Sequence, residues 1–159
     1  CGNAKDRVAT LGEFVTRTIV ATVRVGCGML LEDLAWAERL WVQLYQELQQ
    51  FFADIDLFIV PGNAIPPFLV EDGIPKSING IEMENYMDPS LVRSALTLTG
   101  HPVLALPCWT DHVGMPFGFQ IVGKRRGDLG LLQAAAAIER EIKQIDGLRV
   151  SPPDLSPYL

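Results

Sequence analysis

The sequence has 159 residues, of which 48% are hydrophobic and 20% are charged, with a formal net charge of −6. This length suits one domain with a sizeable core, and the negative charge, without a basic stripe, argues against nucleic acid as a partner. One explanation for the low share of charged residues is that part of the surface is covered by something outside this sequence.

The cysteine content and the hydropathy indicate a reducing, aqueous environment. The three cysteines, Cys1, Cys27 and Cys108, are odd in number and lack metal-ligand spacing, which argues against a disulfide framework and a zinc site. We recognise no signal peptide and no apolar run of membrane-spanning length. We therefore expect a cytoplasmic protein with no membrane partner, no metal and no cofactor.

The first third of the chain predicts two helices after a polar segment, residues 1–10, that we expect to be frayed. From Leu11 to Val25, β-branched residues favour a strand, whereas the length and the placement of the arginines favour the helix that we predict. Gly26-Cys27-Gly28 is expected to end it. A clearer helix is predicted from Leu31 to Phe52, where apolar residues recur every three or four positions. These residues are Leu34, Ala37, Trp41, Leu44, Leu48 and Phe51.

A strand, a loop and a third helix are predicted next. The uninterrupted apolar run from Leu57 to Val60 is typical of a strand buried on both faces. Residues 62–82 are interpreted as a loop with a short hairpin around Asn79-Gly80. A helix is then predicted from Met87 to Thr99, and Gly100 suits its end.

The last part of the sequence predicts a strand hairpin and a closing helix. Val103–Leu106 and Phe117–Val122 are apolar runs separated by a polar turn, which predicts antiparallel pairing. Asp128 begins a helix that extends to Ile142, and its four consecutive alanines allow a close approach to a sheet. Residues 143–159 are expected to form an irregular tail. The element order over residues 11–142 indicates an α/β or α+β fold.

No complete catalytic constellation is visible in the sequence. His101 and His112 lie in predicted turns without metal-ligand spacing, so both are interpreted as structural or exposed. No serine lies in a nucleophile elbow. Cys108 follows a predicted strand, but we interpret it as an inert thiol, because both histidines are interpreted as structural or exposed and neither is assigned as its base.

Two segments nevertheless resemble the amidase signature family. They are Leu96-Thr-Leu-Thr-Gly-His-Pro-Val-Leu-Ala-Leu-Pro-Cys108 and Gly114-Met-Pro-Phe-Gly-Phe-Gln-Ile-Val-Gly123. Residues 37–39 and 52–61 are similar to the long helix and the following strand of the same family. The resemblance implies the C-terminal part of an amidase, a hydrolase of carboxylic amide C–N bonds. It also implies an α/β fold in which flanking helices cover a partial mixed sheet.

The family resemblance implies a catalytic serine that is activated by a second serine and a lysine, with backbone N–H groups as the oxyanion hole. We find no match to that stretch in this sequence, so no catalytic residue is assigned and the chain alone is expected to be inactive. The expected partners are the N-terminal catalytic part of the amidase and a small amide substrate. We also expect a homo-oligomer, because a divided sheet exposes apolar surface. The alternative is a non-catalytic binding or scaffold domain with an amidase-like fold.

The resemblance further implies that this part of the fold walls one side of the substrate pocket. The predicted substrate-binding residues are Trp41, Gly62, Asn63, Ala64, Cys108 and Trp109. Core packing of Trp41 and an exposed or interface position of Trp109 are the alternatives. In the glutamine-using branch of the family, an arginine and an aspartate bind charged groups of the substrate. Trp41 and Ser90 occupy those positions here, with Asp88 nearby, which favours a neutral aromatic or aliphatic amide.

Overall fold

The computed structural model describes residues 6, 9, 10, 16–83, 87–148, 155 and 156. The chain divides into two compact units, Cys1–Leu44 and Tyr45–Leu159. The predicted frayed segment at residues 1–10 and the predicted irregular tail at 143–159 fall largely outside the described residues. Both therefore stay predictions.

Two helices dominate the described part of the first unit. Helix α1 spans Arg17–Gly28, and α2 spans Leu31–Phe51 and crosses the boundary between the units. The prediction of a helix rather than a strand is confirmed from residue 17 onward, while residues 11–15 lie outside the described part. The helix ends at Gly28, within the Gly26-Cys27-Gly28 segment that was expected to end it. It runs three residues beyond the predicted last residue, Val25, since a helical glycine costs only about 1 kcal/mol relative to alanine.

The apolar stripe of α2 has the predicted helical period, but its residues are not buried in this chain. No residue of α2 is buried, and Leu34 and Trp41 are 51% and 47% exposed. Packing begins near its C-terminal end, where Leu48 contacts the cluster that contains the buried Phe52. Three of the six stripe residues, Leu34, Trp41 and Phe51, are therefore exposed apolar surface in this chain.

The second unit is built on strands and two further helices. The strands are β1 (Leu57–Pro61), β2 (Ser77–Ile78), β3 (Ile81–Glu82), β4 (Val103–Thr110) and β5 (Pro116–Gly123). The helices are α3 (Leu91–Leu98) and α4 (Asp128–Ile142). Three strands form an antiparallel sheet in the order β1-β5-β4, so the predicted hairpin of β4 and β5 is confirmed.

The sheet carries a core on each of its faces, because neighbouring residues of a strand point to opposite sides. Ile121 of the central strand packs with Leu131 and Ala135 of α4. Val122, its neighbour, packs with Phe52 and Leu96 on the other side. Ala135 is buried, which confirms the predicted close approach of the alanine-rich helix. A sheet with helices on both faces agrees with the predicted α/β class.

Strand β1 lies at an edge of the described sheet, and the prediction that it is buried on both faces is wrong for this chain. It pairs with β5 from Leu57↔Gly123 to Pro61↔Phe119 and has no second neighbour among the described strands. Ile59 is consequently 53% exposed. An apolar edge of this kind is a surface for further strand pairing.

Two predicted turns are confirmed by backbone geometry. Asn79 and Gly80 join β2 to β3 with φ values of 50° and 79°, as the hairpin turn with two positive φ angles requires. The predicted helix at 87–99 begins as a 3-10 turn over Asp88–Ser90 and continues as α3, and Gly100 follows it with φ 67°. Within the described residues, no helix has the length and apolarity needed to cross a bilayer.

Candidate functional site

The loop that follows β1 is held tightly against the end of the sheet. The N–H of Gly62 donates to the carbonyl oxygen of Gly118 at 3.0 Å. A Cβ atom on Gly62 would lie 2.9 Å from that oxygen, and a Cβ atom on Gly118 would lie 2.5 Å from the carbonyl oxygen of Leu106. Both contacts involve backbone atoms, which cannot rotate away. Glycine at these two positions therefore sets how closely the loop approaches the sheet.

Gln120 provides a second tie between the sheet and this loop. Its side chain is buried, and its Nε2 atom donates to the carbonyl oxygen of Pro61 at 3.2 Å. A buried amide is stable only when it is hydrogen-bonded, so the bond fixes the point at which β1 ends. The Gly118-Phe119-Gln120 part of the recognised motif thus supports the loop.

The turn between β4 and β5 holds a stable negative charge. Oδ1 of Asp111 accepts hydrogen bonds from the N–H groups of Val113 and Met115, both at 2.9 Å. The bond from Met115 is the main cause that lowers the pKa of Asp111, and the bond from Val113 acts in the same direction. Hydrogen bonds of this kind favour the ionised carboxylate. Gly114 completes the turn with φ 85°.

Two adjacent clefts open beside the loop. The smaller has a volume of about 280 Å³ and the larger about 410 Å³. The residues common to both are Asn63, Pro116, Phe117 and Gly118. Residues 64–67 and Asp111 complete the smaller cleft. Arg93 and residues 105–107 are among those that complete the larger one.

Arg93 of α3 brings a positive charge to the larger cleft. Its Nη2 atom donates to Oγ of Ser90 at 2.7 Å, and Nη1 makes a longer contact of 3.4 Å with Oδ1 of Asn63. No carboxylate of the described residues forms an ion pair with it. The guanidinium is therefore positioned by two neutral groups, a hydroxyl and an amide.

Three of the predicted site residues meet at these clefts. Gly62 lines the larger cleft, Ala64 lines the smaller one and Asn63 lines both. Their neighbours are prolines, a phenylalanine and backbone groups, with the amide of Asn63 and the guanidinium of Arg93 as the polar elements. A mainly apolar cleft with a few placed polar groups is the usual form of a small-molecule site.

The other three predicted residues line neither cleft. Cys108 falls at an irregularity of the β4–β5 pairing between Pro107 and Trp109. The ring of Trp109 lies against Gly147, where an added Cβ atom would be 3.1 Å from its Cη2 atom. Trp41 belongs to the first unit. For all three, substrate binding stays a prediction.

The histidines are not arranged for base catalysis. His101 is buried, and its Nδ1 and Nε2 atoms lie 3.0 Å from Oγ1 of Thr99 and 3.0 Å from Nε2 of Gln49. Both ring nitrogens are thus occupied by structural partners. His112 is exposed in the β4–β5 turn. Among the residues that the structure describes, no cluster of potential metal ligands occurs.

Sequence reasoning missed Arg93, Phe117 and Gln120 as cleft residues. A signal for Arg93 existed, because it follows Ser90 by three positions in a predicted helix and so lies within reach of it. Gln120 belonged to the recognised motif, but its partner, Pro61, is distant in sequence. That contact is visible only in the folded chain.

Comparisons with known proteins agree with one another. A family profile described as Amidase matches residues 4–132. One relative, a glutamyl-tRNA(Gln) amidotransferase subunit from Myxococcus xanthus, is 26% identical over 129 residues, which cover 81% of this chain and 25% of that protein. The chain thus spans about a quarter of the length of the curated relatives it matches.

Solved structures share the fold. A bacterial aryl acylamidase of the amidase signature family superimposes with a TM-score of 0.70 at 22% identity, over 93% of this chain and 34% of that chain. An inhibitor-bound vestigial protein complex, connected with the origins of an s-triazine catabolic enzyme, gives a TM-score of 0.75 at 21% identity, over 91% and 31%. These likenesses confirm the predicted α/β class with its partial sheet and flanking helices.

Proposed function

We propose, because this chain belongs to the amidase family, that it forms the C-terminal part of a hydrolase that cleaves carboxylic amide C–N bonds. The observation that carries the proposal is the family match over residues 4–132, which includes the loop after β1, helix α3 and the β4–β5 hairpin. The nucleophilic serine and the groups that activate it come from residues outside this sequence.

In this proposal, the two clefts beside Gly62, Asn63 and Ala64 line one side of the substrate pocket. The loop is supported by the bonds from Gly62 to Gly118 and from Gln120 to Pro61. A wall that is fixed before the substrate arrives favours catalysis, because little ordering remains to be done when the amide binds.

The chain itself offers no activated nucleophile among the groups at the clefts. The hydroxyl of Ser90 accepts a hydrogen bond from the guanidinium of Arg93, a group that stays protonated and cannot act as a base. Both ring nitrogens of His101 are engaged elsewhere. We therefore expect the isolated chain to lack hydrolytic activity.

The test compares the isolated chain with the protein encoded by its full reading frame. The full protein is expected to hydrolyse simple amides and to react with a fluorophosphonate probe, while the 159-residue chain does neither. Alanine replacement of the upstream serine should abolish both signals. Turnover by the isolated chain would contradict the assignment of catalysis to other residues.

A reading frame without a Gly/Ser-rich amidase stretch, together with absent turnover, would instead favour the non-catalytic scaffold. Sequencing upstream of Cys1 is therefore the first step. It also identifies the serines to be replaced.

A further inference from the structure

We propose that Arg93 recognises an anionic group of the substrate, so that the amide taken by this site carries a carboxylate. This inference rests on the proposed function, since it names the substrate class of the same site. It departs from the neutral amide that Trp41 and Ser90 suggest in the sequence alone.

The guanidinium of Arg93 is held in place by two contacts, and it has further N–H donors that could bind a ligand. One N–H group donates to Ser90 at 2.7 Å, and another makes the long contact with Asn63. An arginine side chain carries further N–H donors in a planar fork that matches a carboxylate. Because Arg93 lines the larger cleft, those donors are available to a molecule inside it.

Among the residues that the structure describes, no carboxylate forms an ion pair with Arg93. Three other basic side chains of this unit have charged or aromatic partners: Lys124 pairs with Asp56, Lys143 pairs with Glu139, and Arg125 lies over the ring of Tyr45. Arg93 has only the neutral oxygens of a hydroxyl and an amide. Arg93 is exposed where it lines the larger cleft, so water and salt screen its attraction for an anion, and recognition depends on the hydrogen bonds of its planar fork as well as on its charge.

The neighbouring cleft carries a negative charge, which determines how an anionic substrate is oriented in the site. Asp111 lines the smaller cleft, and the hydrogen bonds that lower its pKa keep it ionised at neutral pH. A ligand carboxylate is repelled from that cleft and attracted to the one that contains Arg93. The anionic end of the substrate is therefore placed between α3 and the loop at Asn63.

The test uses the full-length enzyme and two amides of similar size, butyramide and succinamate, in which a carboxylate replaces the terminal methyl group. We expect a higher kcat/KM for succinamate. The Arg93→Met variant should lower the ratio of kcat/KM for succinamate to kcat/KM for butyramide about ten-fold or more, mainly through a higher KM for succinamate. The Arg93→Lys variant should recover part of the loss, since it restores the charge without the fork.

Two further variants separate recognition from structural damage. Ser90→Asp places a carboxylate within reach of the guanidinium and should reduce the preference for succinamate as Arg93→Met does, because it neutralises the same charge. Arg140→Met removes an exposed arginine from α4 and should change neither substrate. Thermal unfolding of each variant checks that the fold is retained.

Direct binding of succinamate, measured by calorimetry on the serine-less full-length protein, distinguishes the two proposals. Binding that depends on Arg93 without turnover in the active protein would overturn the amidase function and support anion recognition. Turnover of both amides that is insensitive to Arg93, or an equal loss for both in Arg93→Met, would overturn the inference and leave the function standing. A protein that neither binds nor hydrolyses succinamate overturns it as well.

Discussion

The N–H of Gly62 and the carbonyl oxygen of Gly118 are joined by a hydrogen bond of 3.0 Å at a place where neither residue has room for a side chain. This one bond couples the loop that lines both clefts to the central strand of the sheet. The clefts therefore depend on the sheet for their shape. Changes in the packing of the sheet at this point should therefore alter the shape of the clefts.

Replacing Gly118 by alanine should strongly destabilise the protein, because the new Cβ atom would lie 2.5 Å from the carbonyl oxygen of Leu106. We expect a loss of about 2–4 kcal/mol in the free energy of unfolding, measured by urea denaturation. The matched control is Gly130→Ala in α4, where nothing lies within 4 Å. That change should stabilise by up to about 1 kcal/mol, and equal effects at the two glycines would contradict the steric argument.

Leu131 and Leu132 are adjacent in α4 but differ in burial, with exposures of 4% and 56%. Leu131→Ala opens a cavity beside Ile121 and should cost about 2–4 kcal/mol of unfolding free energy. Leu132→Ala should cost less than about 1 kcal/mol. Urea midpoints of the two variants compare them directly, and a larger effect at Leu132 would mean that its face is covered in the full protein.

Replacing Gln120 should disturb the position of the loop after β1 more than the packing of the core. The Gln120→Leu variant leaves the carbonyl oxygen of Pro61 without its 3.2 Å partner, at a cost of about 1–3 kcal/mol. Because the loop is no longer fixed, we expect KM of the full enzyme to rise several-fold. Gln120→Glu offers a near-isosteric comparison, since an ionised carboxylate accepts hydrogen bonds but cannot donate this one. Unchanged KM in both variants would show that the tie does not shape the pocket.

His101 predicts a dependence of stability on pH. Its burial lowers its pKa below the ordinary value of 6.5, a hydrogen bond to the Thr99 backbone acts in the opposite direction, and the charge of Arg125 lowers the pKa further. Oγ1 of Thr99 donates to the carbonyl oxygen of Leu96 at 2.7 Å, so it accepts from Nδ1–H of a neutral imidazole. Nε2 is then the acceptor for Gln49.

The folded state thus binds this proton less readily than the unfolded chain, so stability should be full above pH 6.5 and fall as the pH decreases through 6.5 toward the lowered value. Urea midpoints between about pH 8 and pH 5 measure the loss. His101→Asn should remove this component, whereas His112→Asn, at an exposed position, should retain it. A wild-type profile that matches His101→Asn would count against the prediction.

The isolated chain should self-associate through its apolar surfaces. Ile59 is 53% exposed on the edge strand β1, and Trp36 of α2 is 58% exposed. Exposed apolar edges and patches favour pairing between copies. Light scattering at tens of micromolar should therefore detect oligomers, and Ile59→Lys should shift them toward monomer. A monodisperse wild-type monomer would refute the expectation.

The element order and most boundaries were predictable because the signals are local. The period of apolar residues defines α2, and the alanine run predicts the close contact of Ala135 with the sheet. Burial was less predictable. The apolar pattern of β1 and α2 is the same whether or not a partner covers it, so the exposure of Ile59 and Trp41 could not be read from the pattern.

The residues of the candidate site were also only partly predictable from the sequence. The residues after β1 were predictable from the family resemblance, since a short loop keeps Gly62, Asn63 and Ala64 together. Arg93 was not, because its place in the cleft depends on how α3 packs beside that loop. The position of the Trp109 ring beside Gly147 was not predictable either, because it is a contact between segments far apart in sequence, and substrate binding by Trp109 stays a prediction.

The sequence by itself determined the family, the α/β class and the order of helices and strands, because those rest on spacing along the chain. Only the tertiary structure decided which residues share a cleft, which charge lies without an ion pair, and which glycines are required by contact. Those properties arise from pairs such as Gly62 with Gly118 and Gln49 with His101, whose distance in space is set by the packing of the whole unit.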